Sequence, residues 1–207
     1  SMEISVNSAT CFKNNNIIFS DMNISLKKGD IAMITGPNGS GKTTLIRSLS
    51  GIQNLESGNI SINNKDISDH NSNFTEEILY IGHKNSLNGD MTVIENLEYL
   101  GALDLSSKVN NGDKIKAALD HFDIYKYKDY LVSDLSEGNK KKTSLARIIM
   151  SEKKLWMLDE PLSFLDDKSS DILIKLILKN QKADGISIIS SHYDFSDRLN
   201  NVKHIKM

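Results

Sequence analysis

Features that would mark a secreted or membrane-embedded protein are scarce in this 207-residue sequence. Cys11 is the single cysteine, which excludes an internal disulfide framework and favours a reducing compartment. No apolar run approaches the roughly 20 residues that a membrane-spanning helix needs, and no segment has the pattern of a secretory signal. We therefore expect a cytosolic protein without direct membrane insertion, so that any work at a membrane would be done through a partner.

A strong charge of either sign is also missing. The formal net charge is -2 at pH 7 and the sequence pI is about 6.2, so the chain has no overall basic field for nucleic acid or an anionic membrane. We therefore expect no nucleic-acid partner. Hydrophobic residues make up 39% of the chain, enough for a core, and the length suits one domain with an insertion.

One glycine-rich stretch dominates what is present. An apolar run, Ile31–Thr35, precedes it and predicts a buried strand, and residues 44–49 behind it have apolar side chains at helical spacing. A phosphate-binding P-loop needs both neighbours, whereas an ordinary glycine-rich turn needs neither. The stretch fits G-x-x-x-x-G-K-[ST] and reads Gly36-Pro37-Asn38-Gly39-Ser40-Gly41-Lys42-Thr43.

These residue types suit a triphosphate. Glycines let the backbone turn its N–H groups inward, and the positive end of the following helix adds to the attraction. Lys42 can reach the β- and γ-phosphates as a point charge, and the Thr43 hydroxyl is a natural Mg²⁺ ligand. The sequence therefore predicts that residues 36–43, together with Thr44, bind a nucleotide.

A second chemical centre follows the predicted strand 155–158. Asp159 and Glu160 would lie at the carboxyl edge of the sheet, beside the P-loop. There Asp159 can hold Mg²⁺ opposite Thr43, and Glu160 can orient and polarise an attacking water. The alternative is that both acids merely cap the next element. The basic run at residues 140–142 is equally open to two interpretations, a solvated helix face or a functional one.

The remaining pattern favours an α/β fold with an antiparallel β section before the P-loop. Thr92 and Glu95 form a capping box that predicts a helix start, and Ser136 is expected to open a helix that runs to about Met150. The other elements predicted are strands at 3–12, 17–19, 22–26, 59–62, 78–81, 186–189 and 204–207, a polar loop at 63–73 and a helix at 167–180.

Three further segments resemble motifs of the ATP-binding-cassette (ABC) ATPases and occur in the order of that family. Leu135-Ser136-Glu137-Gly138-Asn139 resembles the signature motif, Ser163-Phe164-Leu165-Asp166 the D-loop, and Ser190-Ser191-His192 the switch histidine. With the P-loop and the paired acids, the resemblance covers essentially the whole chain. It implies a P-loop NTPase fold of ABC type, with a mixed central sheet flanked by helices, as one domain over residues 1–207. A small helical subdomain would be inserted at about residues 84–142.

The resemblance also implies the ligands and the roles. ATP and Mg²⁺ would be sandwiched in a homodimer that forms on ATP binding, between the P-loop of one subunit and the signature motif of the other. Glu160, His192 and Lys42 would be catalytic, with His192 contacting the γ-phosphate. Nucleotide contacts outside the P-loop would come from Ser136 and Gly138 of the signature, Asp166 of the D-loop, and Phe12 stacked on adenine. A core phenylalanine is the alternative for Phe12.

Tyr80-Ile81-Gly82-His83 places His83 where most members carry a glutamine that touches Mg²⁺ and the membrane partner. This segment and the Leu-Trp-x-Leu-Asp-Glu-Pro run resemble one branch, the ATP-binding subunit of the haem exporter of cytochrome c maturation. The branch implies a translocating ATPase held by an integral membrane permease at the cytoplasmic face of the inner membrane. Because few residues carry the resemblance to this branch, another small ABC exporter is one alternative. Glu137 and Asn139 depart from the usual signature, which leaves a nucleotide-gated binding module with little hydrolysis as a second alternative.

Overall fold

The structure, a computed structural model, describes residues 2–69, 76–84, 86–104 and 111–207. Within those ranges the strands are β1 (Glu3–Lys13), β2 (Asn16–Lys27), β3 (Ile31–Thr35), β4 (Ser57–Ile62), β5 (Lys65–Asp66), β6 (Ile78–Ile81), β7 (Leu155–Asp159), β8 (Ile186–Ser191) and β9 (Val202–Lys206). The α-helices are α1 (Lys42–Leu49), α2 (Val93–Asp104), α3 (Asn111–His121), α4 (Glu137–Met150) and α5 (Asp167–Lys182).

An antiparallel sheet is built in the order β2-β1-β4-β5. The two short strands predicted at 17–19 and 22–26 are one strand, β2, which continues through Asp21 in a left-handed conformation with a φ of 48°. The predicted loop at 63–73 is wrong at its start, because Asn63 and Asn64 are both left-handed and form a tight hairpin turn that pairs β5 with β4. Residues 70–73 of that loop lie outside the described ranges.

A parallel sheet carries the chemistry, in the order β6-β7-β8-β3-β9. One face, with Met33 and Leu158, packs in a core that includes α4 and α5 side chains. The other face, with Ile34 and Met157, packs against α1 and the antiparallel sheet. Burial on both faces explains why these strands are continuous apolar runs, and the edge strand predicted at 204–207 is present as β9.

Because the inner strands are parallel, their carboxyl ends lie along one edge of the sheet. The P-loop leaves that edge after β3, His83 follows β6, Asp159 and Glu160 stand at the end of β7, and His192 follows β8. The sheet therefore brings four segments that are far apart in the sequence to the same edge.

The helices between β6 and β7 begin as predicted where capping residues mark their starts. The Thr92 backbone N–H donates to Glu95 Oε1 at 2.9 Å, and the Glu95 N–H donates to Thr92 Oγ1 at 3.1 Å, which confirms the capping box. Ser136 Oγ accepts from the Asn139 N–H at 3.1 Å and caps α4. In the described ranges, none of the helices combines the length and the apolar character needed to cross a membrane.

Candidate nucleotide-binding site

A cavity of about 430 Å³ opens at the carboxyl edge of the parallel sheet. Most of its lining had been predicted from separate motifs, and the fold brings those residues together. The lining residues are Lys13, Ile18, Asn38, Gly39, Gly41, Lys42, Thr43, Thr44, His83, Glu160, Ser163 and His192.

The P-loop needs glycine at specific positions. Gly39 and Gly41 have φ values of 85° and 100°, in the left-handed region that other residues rarely adopt. A Cβ on Gly41 would lie 2.4 Å from Ile18 Cγ2, so a larger residue would also collide with β2. Helix α1 begins at Lys42, directly after this turn, and its first N–H groups are available to an anion.

Lys42 is buried and contacts both the loop and the catalytic acid candidate. Its Nζ donates to the carbonyl oxygens of Gly36 at 2.6 Å and Pro37 at 2.9 Å, and lies 3.9 Å from Glu160 Oε1. The ammonium is thus fixed at the cavity by neutral carbonyls and one carboxylate. A phosphate arriving there would meet a preorganised cation.

Two buried side-chain oxygens, one in the P-loop and one at the end of β7, have no protein partner among the described residues: Ser40 Oγ and Asp159 Oδ2. Asp159 is 0% exposed, and its other oxygen, Oδ1, accepts a hydrogen bond from Ser190 Oγ. Since buried polar atoms are almost always satisfied, Asp159 Oδ2 is an oxygen that could hold a ligand. A carboxylate oxygen and a hydroxyl such as that of Thr43 are oxygen ligands of the kind that Mg²⁺ takes, one or two per ion, before it completes its shell with phosphates and water.

No group of three or more His, Cys, Asp or Glu side chains that could hold a metal occurs in the described ranges. His83, which follows β6, is exposed and lines the cavity.

The Glu160 carboxylate lies between the side chains of Lys42 and His192. Its Oε2 lies 3.0 Å from His192 Nδ1, opposite the contact with Lys42. Its backbone N–H donates to Ser190 O at 3.1 Å and Ser190 Oγ at 2.9 Å. Ser190 therefore orients both acids at once, a role that sequence reasoning missed because nothing in the sequence places the end of β8 against the end of β7.

Seven of the predicted nucleotide contacts do not line this cavity: Gly36, Pro37 and Ser40 of the P-loop, and Phe12, Ser136, Gly138 and Asp166 outside it. The predicted metal ligand Asp159 does not line it either. Ser136 is exposed at the tip of α4. Asp166 caps α5 through the Ser169 N–H, and hydrogen bonds from Ser169, aided by the nearby Lys142 cation, lower the pKa of its carboxyl group. On the side of Phe12, Lys13 and Ile18 line the cavity instead.

Comparison with known proteins places these features in a family. The model of the ABC transporter family matches residues 19–163. The cytochrome c biogenesis ATP-binding export protein CcmA of Tatumella citrea is 32% identical over 96% of this chain and 92% of the relative. The protein of the same name from Wolbachia pipientis wMel is 35% identical over 88% and 86%. The ATP-binding cassette MJ0796, solved as a dimer with ADP and phosphate, has a TM-score of 0.85 at 18% identity over 98% and 94%.

Proposed function

This chain belongs to the ABC transporter family as an ATP-binding subunit and an ATPase, and from that premise we propose that two copies hydrolyse ATP between them to drive an integral membrane permease. The observation that carries the proposal is that the P-loop, Lys42, Glu160 and His192 line one and the same cavity. The proposed unit is one ABC ATPase domain over residues 1–207, with the helical insertion at about 84–142.

Each cavity residue has a distinct proposed role in hydrolysis. The P-loop N–H groups and Lys42 bind and orient the phosphates. Glu160 accepts a hydrogen bond from the attacking water and positions it, because its carboxylate is fixed between Lys42 and His192. His192 contacts the γ-phosphate from the opposite side and responds to its departure.

The proposal includes a Mg²⁺ ion, with Thr43 and Asp159 as its protein ligands and His83 close by. When bound, it would neutralise charge that develops on the phosphate oxygens. The protein's own contribution is to hold Asp159 in place through Ser190, which engages one carboxylate oxygen and leaves the other without a protein partner among the described residues.

The proposed homodimer is based on the signature and D-loop residues, which do not line the cavity of their own chain. Ser136 and Gly138 lie at the start of α4, where free N–H groups and the helix dipole favour an anion. Neither lines the cavity of its own chain. A second copy, related by twofold symmetry, would bring this tip and Asp166 onto the γ-phosphate side of the bound nucleotide.

We propose that Phe12 stacks on the adenine ring. Its side chain is 45% exposed on β1, so one face is accessible to a planar base. Phe12→Ala should weaken ATP binding about tenfold, within the roughly 1–3 kcal/mol of a base–aromatic stack, and leave tripolyphosphate binding unchanged. Equilibrium titration of both ligands measures this. If Lys13→Ala weakened ATP and Phe12→Ala did not, the base would instead lie against the residues that line the cavity.

The identity of the permease and of the substrate it exports is the most specific part of the proposal. The two CcmA proteins are named as export proteins of cytochrome c biogenesis, and the Tyr80–His83 segment resembles that branch. We therefore propose haem-related export, with this chain bound peripherally at the cytoplasmic face of the inner membrane. ATP hydrolysis for another small exporter is the alternative, and a nucleotide-gated module with little hydrolysis is the second.

Affinity purification of the full tagged chain from membranes of its own cells tests this part. We expect an integral membrane protein to co-purify, and the Mg²⁺-dependent ATPase rate of the complex to change when haem is added. The tag alone is the control. A complex that is active but indifferent to haem would favour another exporter, and a complex without hydrolysis would favour the gated module.

A further inference from the structure

The backbone of Glu160 adopts a conformation that needs support from its surroundings. Its φ is 48°, in the left-handed region that is uncommon for residues other than glycine and asparagine. The N–H side of this residue is held by Ser190, as described above. The carbonyl side is held by Lys141, whose Nζ donates to Glu160 O at 3.1 Å. A catalytic carboxylate on a turn of this kind points correctly only while both sides stay in place.

Lys141 belongs to the basic run at residues 140–142, and the interpretation of a solvated helix face is wrong for it. Its side chain is 1% exposed. Full burial of lysine is rare because the charged form loses its hydration. That desolvation lowers the pKa of the Lys141 ammonium, and the nearby Asp159 and Glu160 carboxylates oppose the shift. The Lys141 amine therefore lies in the protein interior, close to Asp159 and Glu160.

Helix α4 also touches the segment after Glu160 at two further points. A Cβ on Gly138 would lie 2.9 Å from Phe164 O, so the first turn of α4 packs closely on this backbone. Lys142 Nζ lies 3.6 Å from Asp166 Oδ2. The helix that presents Ser136 at its tip is thus in contact with residues 160–166 of the same chain along its first two turns.

We propose that Lys141 is a positioning residue for Glu160, fixing its peptide carbonyl and linking the tip of α4 to the catalytic acid of the same chain. The inference rests on the proposed function, because it assigns Glu160 to the attacking water. A loosened Glu160 would be misaligned for proton transfer while the P-loop still binds nucleotide. Loss of the Lys141 contact should therefore act on kcat and spare affinity.

The test compares Lys141→Met, which keeps the stem but removes the donor, with Lys141→Gln, which restores a donor. We expect kcat to fall at least tenfold in Lys141→Met, ATP affinity to stay within about twofold, and Lys141→Gln to recover part of kcat. Lys154→Met is the matched control, because Lys154 Nζ also donates to a backbone carbonyl, that of Ala183 at 3.0 Å, at the opposite end of β7. For every variant, titration of the ATP-binding sites gives the concentration of folded protein, and each measured rate is divided by that concentration.

A second measurement separates positioning from a general structural role. In the Glu160→Gln background, Lys141→Met should cause no further loss in the single-turnover rate, because its effect passes through Glu160. An equal additional loss in that background, a wild-type kcat in Lys141→Met, or a variant that no longer binds ATP would each overturn the inference. A wild-type chain without ATPase activity would instead refute the proposed function itself.

Discussion

Replacing Glu160 with glutamine should lower kcat for ATP hydrolysis by about 10²–10³-fold, in the range of a lost general base, while ATP still binds. Glutamine keeps the size of the side chain but cannot accept a proton from water at the oxygen that now lies 3.0 Å from His192 Nδ1. The phosphate contacts come from the P-loop and Lys42 and remain intact. Removal of the carboxylate 3.9 Å from Lys42 Nζ even leaves that ammonium freer to pair with phosphate.

Phosphate release and an ATP titration on the same preparation check this prediction. Glu152→Gln is the matched control, since it makes the same change on an exposed side chain, which pairs with Lys114 at 3.7 Å. A Glu160→Gln chain with near-normal turnover would remove Glu160 from the chemistry. Loss of ATP binding in the same variant would make it a nucleotide ligand and not a residue that positions water.

The parts of the site that could be predicted are those encoded within a few neighbouring residues. The P-loop combines a strand, a glycine turn and a helix start in sequence, and Asp159 and Glu160 terminate an apolar run. Parallel strand order then determines that both reach one edge. The capping residues Thr92 and Ser136 were equally predictable because their hydrogen-bond partners lie three residues away.

The parts that could not be predicted depend on contacts between distant segments. Ser190 and Asp159 are 31 positions apart, and Lys141 and Glu160 are 19 apart. Local pattern does not say whether a lysine on an amphipathic helix is solvated or turned into the interior. The hairpin at Asn63 and Asn64 is not predictable for another reason: the same polar residue types occur in loops and in two-residue turns.

The proposed dimer can be tested with two inactive variants that should regain ATPase activity when they are combined. Lys42→Ala removes the phosphate cation, and Ser136→Asp places a negative charge where the partner's γ-phosphate would lie. Aspartate caps helices about as well as serine, so α4 should stay folded. Each variant alone should lose about 10²–10³-fold in ATPase rate, as for loss of one charge-stabilising group. Ser136→Asn, which keeps the cap without the charge, is the matched control and should retain most activity.

Co-expression of the two chains gives mixed dimers in which one composite site pairs an intact P-loop with an intact Ser136. Random pairing makes about half of the dimers mixed, each with one working site of two, so the rate should return to about a quarter of wild type if the sites fire independently. The dependence on the mixing ratio should peak at equal amounts. Because Ser136 does not line the cavity of its own chain, a mixture that stays inactive at every ratio would show that catalysis does not use a tip from a second copy.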